Sequence, residues 1–316
     1  MSKNVSFVVP VYNEKETVAQ LFAEVSAVSS QYEYEYELIF VDDGSTDGTY
    51  EAVRALIDGG APVKLVRFRR NFGKAAALQA GFERASGEIV LTLDGDLQDD
   101  PKETPRFIEK LDEGFDMVSG WKQRRHDPLE KRLPSKLFNA VTAGMSGIPL
   151  HDFNCGFKAY RKEVCDSLCL YGEMHRYIPV LARRQGFSVG EIVVEHRART
   201  HGKSKYGFER YLRGLFDSMT SSFLLRFGDR PMHFFGRWGL TMFAAGVIIC
   251  VVLTAQWIGG ASIGTRPLLL LGVLLNILGL QFFATGFTCD LLLDRTTRRN
   301  QNTAHIKELL GFEEGR

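Results

Sequence analysis

Over residues 1–100, short runs of near-continuous apolar residues alternate with stretches in which apolar residues recur at helical spacing. Val5–Val11 (VSFVVPV), Leu38–Val41, Val63–Phe68 and Ile89–Leu93 read as strands. Between them, Glu16–Ser29 carries Val18, Leu21, Phe22 and Val25 at helical intervals, and helices are expected at Thr49–Ile57 and Lys74–Ala85. Strands apolar on both sides, each followed by a helix, predict a parallel sheet covered on both faces. Ligands in such sheets bind beyond the carboxyl ends of the strands. The polar clusters of this half all fall there: Tyr12-Asn-Glu14, Asp42-Asp-Gly-Ser-Thr-Asp47, Arg69-Arg-Asn-Phe-Gly-Lys74 and Asp94-Gly-Asp96. Four clusters converging on one sheet edge describe a pocket.

The pattern is less regular over residues 101–200. A helix is expected at Pro105–Glu113, a strand at Met117–Trp121, and then the basic stretch Lys122-Gln-Arg-Arg-His126. An amphipathic helix around Lys131–Met145, the segment HDFNCGFKAY (151–160), a helix over Tyr177–Gln185 and a strand at Val189–Glu195 follow.

The last third changes character. Trp238–Ile258 runs 21 residues without a charge and Pro267–Cys289 another 23. About 20 helical residues cross a hydrocarbon core, so both read as membrane spans joined by a hairpin loop, with Trp238 and Trp257 as interface anchors. The rival reading is a pair of buried core helices. Arg226, Arg230 and Arg237 precede the first span and Arg295, Arg298 and Arg299 follow the second, while the intervening loop has only Arg266. This asymmetry predicts both ends in the cytoplasm. Apolar and basic residues mix at helical spacing over 208–226, which reads as a helix on the membrane surface, or else packed on the preceding domain.

Composition changes this picture little. The 316 residues carry 39 basic and 38 acidic side chains, for a net charge of +1, so no nucleic-acid partner is expected. The five cysteines include no CxxC pair, which argues against a disulfide framework or a structural zinc. The N-terminus enters a strand without a signal-peptide pattern, so the first part of the chain is expected to stay in the cytoplasm.

Candidate chemistry centres on TLDGDLQDDP (92–101), which places four carboxylates just past a strand. Asp94 and Asp96 can share one hard divalent cation, Mg2+ or Mn2+, with Gly95 letting the backbone approach and Gln98 as a further ligand. Such an ion keeps open positions for phosphate oxygens. Asp99-Asp100-Pro101 reads instead as a turn that starts the next helix. Arg199-Thr-His-Gly-Lys-Ser-Lys205 is a basic, glycine-containing stretch.

VVPVYNE (8–14), VDDGSTDGT (41–49), RNFGKAAALQAG (70–81, beginning at Arg70) and LDGDLQDDP (93–101) together resemble the family 2 inverting glycosyltransferases of the GT-A fold. Within them the chain is similar to the polyprenyl-phosphate glycosyltransferases, the group of dolichol-phosphate mannose synthase and the bactoprenol glucosyltransferases, over residues 5 to about 290. That resemblance implies a nucleotide-sugar pocket shaped by Pro10, Tyr12, Glu14 and Val41, with Asp43 reading the base and Lys74, Asp94, Gly95 and Asp96 at the diphosphate. Asp94, Asp96 and Gln98 would hold the metal, Arg199 and Lys205 would face the phosphates, and Lys122, Arg132 and Ser135 would bind the lipid phosphate. Asp152 matches the acidic position of the family's DxxSGFRxY pattern as a base or sugar-positioning group. The chain departs from that pattern at Asn154-Cys155, and Lys158 stands for Arg.

The reading implied is an α/β enzyme: a GT-A Rossmann-like, mainly parallel sheet with helices on both faces, plus a C-terminal two-helix transmembrane hairpin. Residues 1–205 form the cytoplasmic catalytic domain and 206–232 the membrane-surface region. Residues 233–294 hold the spans, at about 236–258 and 267–290, and 295–316 form a cytoplasmic tail. The expected reaction moves a hexose to undecaprenyl or another polyprenyl phosphate in the bacterial inner membrane, for cell-envelope glycosylation. Glucose from UDP-glucose is favoured, with GDP-mannose, UDP-galactose or amino-arabinose donors as alternatives. A processive synthase would add a QxxRW motif and more spans, a nucleotidyltransferase would lack the hairpin, and an inactive membrane scaffold would not need Asp94, Asp96, Arg199 and Lys205. Asn276 and Gln281 within a span predict self-association into a homo-oligomer such as a tetramer, because polar groups in hydrocarbon usually face protein.

Overall fold

The computed structural model describes residues 3–123, 148, 150–195, 197, 223, 227–228, 230–260, 262 and 267–300, with side chains of the last helix through Leu292. It divides into two compact units, residues 1–222 and 223–316.

In the first unit, strands β1 (Asn4–Val11), β2 (Glu35–Asp42), β3 (Val63–Arg67), β4 (Ile89–Thr92), β5 (Met117–Trp121), β6 (Lys158–Arg161) and β7 (Val189–Val193) form one sheet. Its order is β3-β2-β1-β4-β6-β5-β7. The β1–β2, β2–β3, β1–β4 and β5–β7 pairs are parallel, and β6 lies antiparallel between β4 and β5. The chain runs outward from β1 to β3 and returns to β4 on the other side of β1. This reversal opens a crevice at the carboxyl ends of β1 and β4, where α/β sheets bind ligands.

Alternation along β1 sets the two faces. Phe7, Val9 and Val11 join a cluster with Val18, Leu21 and Val25 of α1 (Val18–Gln31), Val53 of α2 (Thr49–Asp58), and Phe107 and Leu111 of α4 (Thr104–Asp112). Ala159 of β6 belongs to that cluster, so its neighbour Tyr160 points to the other face. There it meets Phe82 of α3 (Lys74–Phe82) edge-on at 5.3 Å. Each fully buried Leu or Phe contributes about 1.5–3 kcal/mol, so the two layers are held by the same strands that aim the loops. Among the described residues the unit also holds helices α5 (Lys162–Ser167) and α6 (Ile178–Arg184).

Most expected elements form within a few residues of their predicted ends. The helix expected to reach Ala85 stops at Phe82, and the strand expected to reach Glu195 stops at Val193. Strand β6 and helix α5 were not foreseen: KAYR is four residues long, begins with a lysine and shows no clean alternation. Its pairing is supplied by β4 and β5. The expected helices at 131–145 and 208–226 lie outside the described residues, Phe223 apart.

The second unit holds α7 (Pro231–Ile258) and α8 (Pro267–Asn300). Pro231–Ile258 and Pro267–Leu292 are long and apolar enough to cross a membrane, and only 17% and 11% of their apolar windows are buried. Core helices of a soluble protein would be mostly covered, so the exposure favours spans. The helices approach closely where neither has a side chain: a Cβ on Gly239 would lie 2.8 Å from the Gly279 carbonyl oxygen, and one on Gly246 2.8 Å from that of Gly272. Asn276 Nδ2 donates to the Gly272 carbonyl at 2.9 Å within its own helix, whereas Gln281 is exposed.

Candidate active site

The loops after β1, β2 and β3 are tied to one another by side-chain-to-backbone bonds. Asn13, at φ 57°, donates its N–H to Ser45 Oγ at 2.9 Å and accepts the Thr46 N–H on Oδ1 at 2.9 Å. The Glu14 N–H donates to Thr49 Oγ1 at 2.9 Å, and Asp42 Oδ1 accepts the Ser45 N–H at 2.8 Å. Asp43 takes the Phe72 N–H at 2.7 Å and the Gly73 N–H at 2.9 Å, one on each carboxylate oxygen. Burial raises its pKa despite those two bonds, which pull the other way. Asp43, expected to read a base, thus fixes the start of α3. Pro10 and Val41 are register partners at the ends of β1 and β2, Val41 fully buried, while Tyr12 stands half exposed.

The acidic turn after β4 packs against this loop system. Thr17 Oγ1 donates to the Gly95 carbonyl at 2.6 Å, and a Cβ on Gly95 would lie 2.8 Å from Val11 Cγ1. Asp94 ion-pairs with Lys74, the first residue of α3. Burial raises the Asp94 pKa, but Lys74, Lys122 and Lys158 outweigh it and hold the carboxyl well below the usual carboxylate range. The Asp94 N–H donates to Asp99 Oδ2 at 3.1 Å, and Asp99 Oδ1 pairs with Lys122 at 2.7 Å. Both partners are nearly inaccessible, so burial pulls the Lys122 ammonium down while Asp99 pushes its pKa well above normal. Asp96 Oδ1 accepts the Gln98 N–H at 3.2 Å, and Asp100 caps the following turn by accepting the Lys102 N–H at 3.0 Å. Asp99 and Asp100 thus hold the turn on which Asp94 and Asp96 lie.

The segment 151–160 forms the floor beside Asp94. A Cβ on Gly156 would sit 2.5 Å from both Asp94 carboxylate oxygens. Lys158 is buried and donates to the Cys155 carbonyl; burial lowers its pKa. The same burial pushes the Cys155 thiol up to about 12, so it is an inert packing group rather than a nucleophile. Asp152 is buried, its Oδ1 accepting the Asn154 N–H at 3.0 Å and its own N–H donating to Glu191 Oε1 at 3.0 Å. His151 pairs with Glu191 at 2.8 Å and stacks on Trp121 with ring centroids 3.9 Å apart. Arg176 Nη1 donates to Asn154 Oδ1 at 2.9 Å. His175 is held neutral, its pKa driven to about 2 by burial and then by Lys74 and Arg176.

The structure thus brings Lys74, Asp94, Gly95, Asp96 and Lys122 to one edge, with Pro10 alongside, while Asp152, in the floor segment, is anchored by its N–H on Glu191. Arg132, Ser135, Arg199 and Lys205 lie outside the described residues. Lys122, expected on a lipid phosphate, is seated on Asp99. Lys158, His175 and Arg176 were not singled out for the site; the clue available was a lysine beginning an otherwise apolar stretch. Arg197 donates its N–H to the Gln98 carbonyl at 3.0 Å and pairs with Glu24 and Asp100, each at 2.6 Å, tying the exit of β7 to the acidic turn.

Among the described residues no group of three or more His, Cys, Asp and Glu side chains is arranged to hold a metal. Asp94 and Asp96 nevertheless form a hard-oxygen pair of the kind that binds Mg2+ or Mn2+ when substrate phosphates and water complete the shell. The donor chemistry fits an ion that arrives with a diphosphate.

The model of the family described as glycosyl transferase family 2 matches residues 6–169. A dodecaprenyl-phosphate galacturonate synthase of Rhizobium johnstonii is 39% identical over 297 residues, covering 92% of this chain and 88% of that protein. An undecaprenyl-phosphate 4-deoxy-4-formamido-L-arabinose transferase of Pseudomonas fluorescens is 34% identical over 291 residues, covering 91% and 84%. Among solved structures, glucosyl-3-phosphoglycerate synthase from Mycobacterium tuberculosis with UDP superimposes with a TM-score of 0.55 at 24% identity, over 72% of this chain and 80% of that one. At that identity the likeness establishes the fold.

Proposed function

The chain belongs to glycosyl transferase family 2, and we propose that it moves a sugar from a nucleoside diphosphate onto a polyprenyl phosphate at a membrane. The observation that carries this is the presentation of Asp94 and Asp96 at the β4 edge, beside Lys74, in a chain that continues into two apolar helices. Relatives aligned over more than four-fifths of their length are named for transfers to dodecaprenyl and undecaprenyl phosphate.

An oxygen of the acceptor phosphate attacks the anomeric carbon. The bond from that carbon to the diphosphate oxygen breaks, and its electron pair leaves with the nucleoside diphosphate. Attack opposite the leaving group inverts the centre, giving a β-linked lipid phosphate sugar from an α-linked donor. A phosphate monoester is already ionised near neutral pH, its second pKa being about 6, so the step does not require a strong base. This suits an Asp152 that is buried and engaged with Asn154, as a group that shapes the sugar pocket. A divalent cation on Asp94 and Asp96, with Gln98, would neutralise the departing diphosphate.

Pro10, Tyr12, Glu14, Val41 and Asp43 take the nucleoside in this reading, and Lys74, Arg199 and Lys205 take the diphosphate. Arg132 and Ser135 take the lipid phosphate, while Lys122 acts through Asp99 to hold the turn. We assign galacturonate as the donor sugar in preference to glucose, on the 39% relative. Residues 1–205 face the cytoplasm, 206–232 lie on the membrane surface, and 233–294 cross it twice, with copies associating through the spans. The test is product analysis by mass spectrometry after incubating the detergent-solubilised protein with undecaprenyl phosphate and UDP-galacturonate, UDP-glucose or GDP-mannose. Nucleoside diphosphate release that ignores the lipid would overturn the acceptor. Glucosyl lipid as the dominant product would overturn the sugar.

A further inference from the structure

Lys74 occupies an unusual place: the ammonium of the first residue of α3 sits on Asp94 Oδ1, an oxygen needed for a metal. It is aimed there from a fixed base, because Asp43 grips the two preceding backbone N–H groups, of Phe72 and Gly73. The Asp94 carboxylate lies directly over Gly156, with both oxygens on that side. A hard cation binds carboxylate oxygen at about 2.0–2.1 Å, and that position and the ammonium's overlap. Lys122 is held on Asp99 and Lys158 on a carbonyl, so Lys74 is the lysine seated on Asp94 itself. A dication entering alone must displace the Lys74 ammonium from Asp94, whereas one accompanied by a diphosphate brings oxygens that can receive that ammonium.

Resting on the assignment of Asp94 and Asp96 to the metal, we propose that Lys74 is a placeholder cation. It holds Asp94 while the site is empty and passes to the diphosphate oxygens when metal and nucleotide enter together. The consequence is positive coupling between metal and nucleotide, each binding weakly alone. Couplings of this kind are typically about 5–150-fold, and they are reciprocal.

The experiment is a Mn2+ titration of the full-length, detergent-solubilised protein, read by the electron paramagnetic resonance of free Mn2+, with and without UDP. In the wild type, UDP should tighten Mn2+ at least about fivefold. Lys74→Met, with Lys74→Gln as a second isostere, should bind Mn2+ alone at least about fivefold more tightly than wild type. Both should bind UDP more weakly with Mn2+ present, and Lys74→Arg should behave as wild type. If wild type binds Mn2+ with UDP but the neutral variants leave the affinity for Mn2+ alone unchanged, the placeholder role is overturned and the metal assignment stands. If wild type binds no Mn2+ even with UDP, both are overturned.

Discussion

Gly156 lies directly beneath Asp94: a Cβ added there would come within 2.5 Å of both carboxylate oxygens. The contact joins the floor segment to the acidic turn across more than sixty residues of sequence, and it makes the smallest side chain a condition of where Asp94 sits. Gly156→Ala should displace Asp94 by a good fraction of an ångström. Displacements of about 1 Å can cost about a hundredfold in rate. The expected outcome is a fall in kcat/KM of that order with an almost unchanged melting temperature, measured on the same preparation.

Asp99 and Lys122 form a buried ion pair at 2.7 Å. Removing one partner of such a pair leaves an uncompensated charge and typically costs about 3–5 kcal/mol. Asp99→Asn should therefore lower thermal stability sharply. Lys122→Met combined with Asp99→Asn should recover part of the loss, and thermal melts of the two variants check this.

His175 gives the stability a pH dependence. Its folded pKa is driven to about 2, below the ordinary value of 6.5, chiefly by burial. Between those values the unfolded chain binds a proton that the folded one refuses, so stability rises with pH there. The contribution is present above pH 6.5 and lost as pH falls below it. Relative to His175→Gln, the wild type should lose stability between pH 7 and 4.5, as melting temperatures across that range will show.

In the hairpin, Gly239 lets its helix touch the Gly279 backbone. Gly239→Leu forces the helices apart, and overpacking of this kind costs about 1–3 kcal/mol. A lowered melting temperature of the membrane unit in detergent is expected, while Leu240→Ala, on an exposed position, should have little effect.

The parts legible in the sequence were those that local physics dictates. Val5–Val11 and Leu38–Val41 are apolar on both faces because helices cover both, so pattern alone predicted a mainly parallel sheet. Asp94 and Asp96 stood out because strands do not end in paired acids without cause. Strand β6 stayed hidden, because Lys158 is buried only through tertiary packing and a four-residue strand carries little periodicity. The Lys122–Asp99 pair and the Glu191 contacts to His151 and Asp152 were likewise invisible, joining residues that only the fold brings together. Lys122, which the family resemblance places at a lipid phosphate, has a buried counterion in Asp99 that only the fold reveals.

The central claim is metal-dependent sugar transfer to a lipid phosphate through Asp94 and Asp96. Its most direct test measures nucleoside diphosphate release from UDP-galacturonate by wild type and Asp96→Ala, with and without undecaprenyl phosphate and Mn2+. Release should require both lipid and metal in the wild type and fall at least about a hundredfold in Asp96→Ala, the scale of losing one charge-stabilising group. Full turnover by Asp96→Ala, or turnover indifferent to the lipid, would contradict the account.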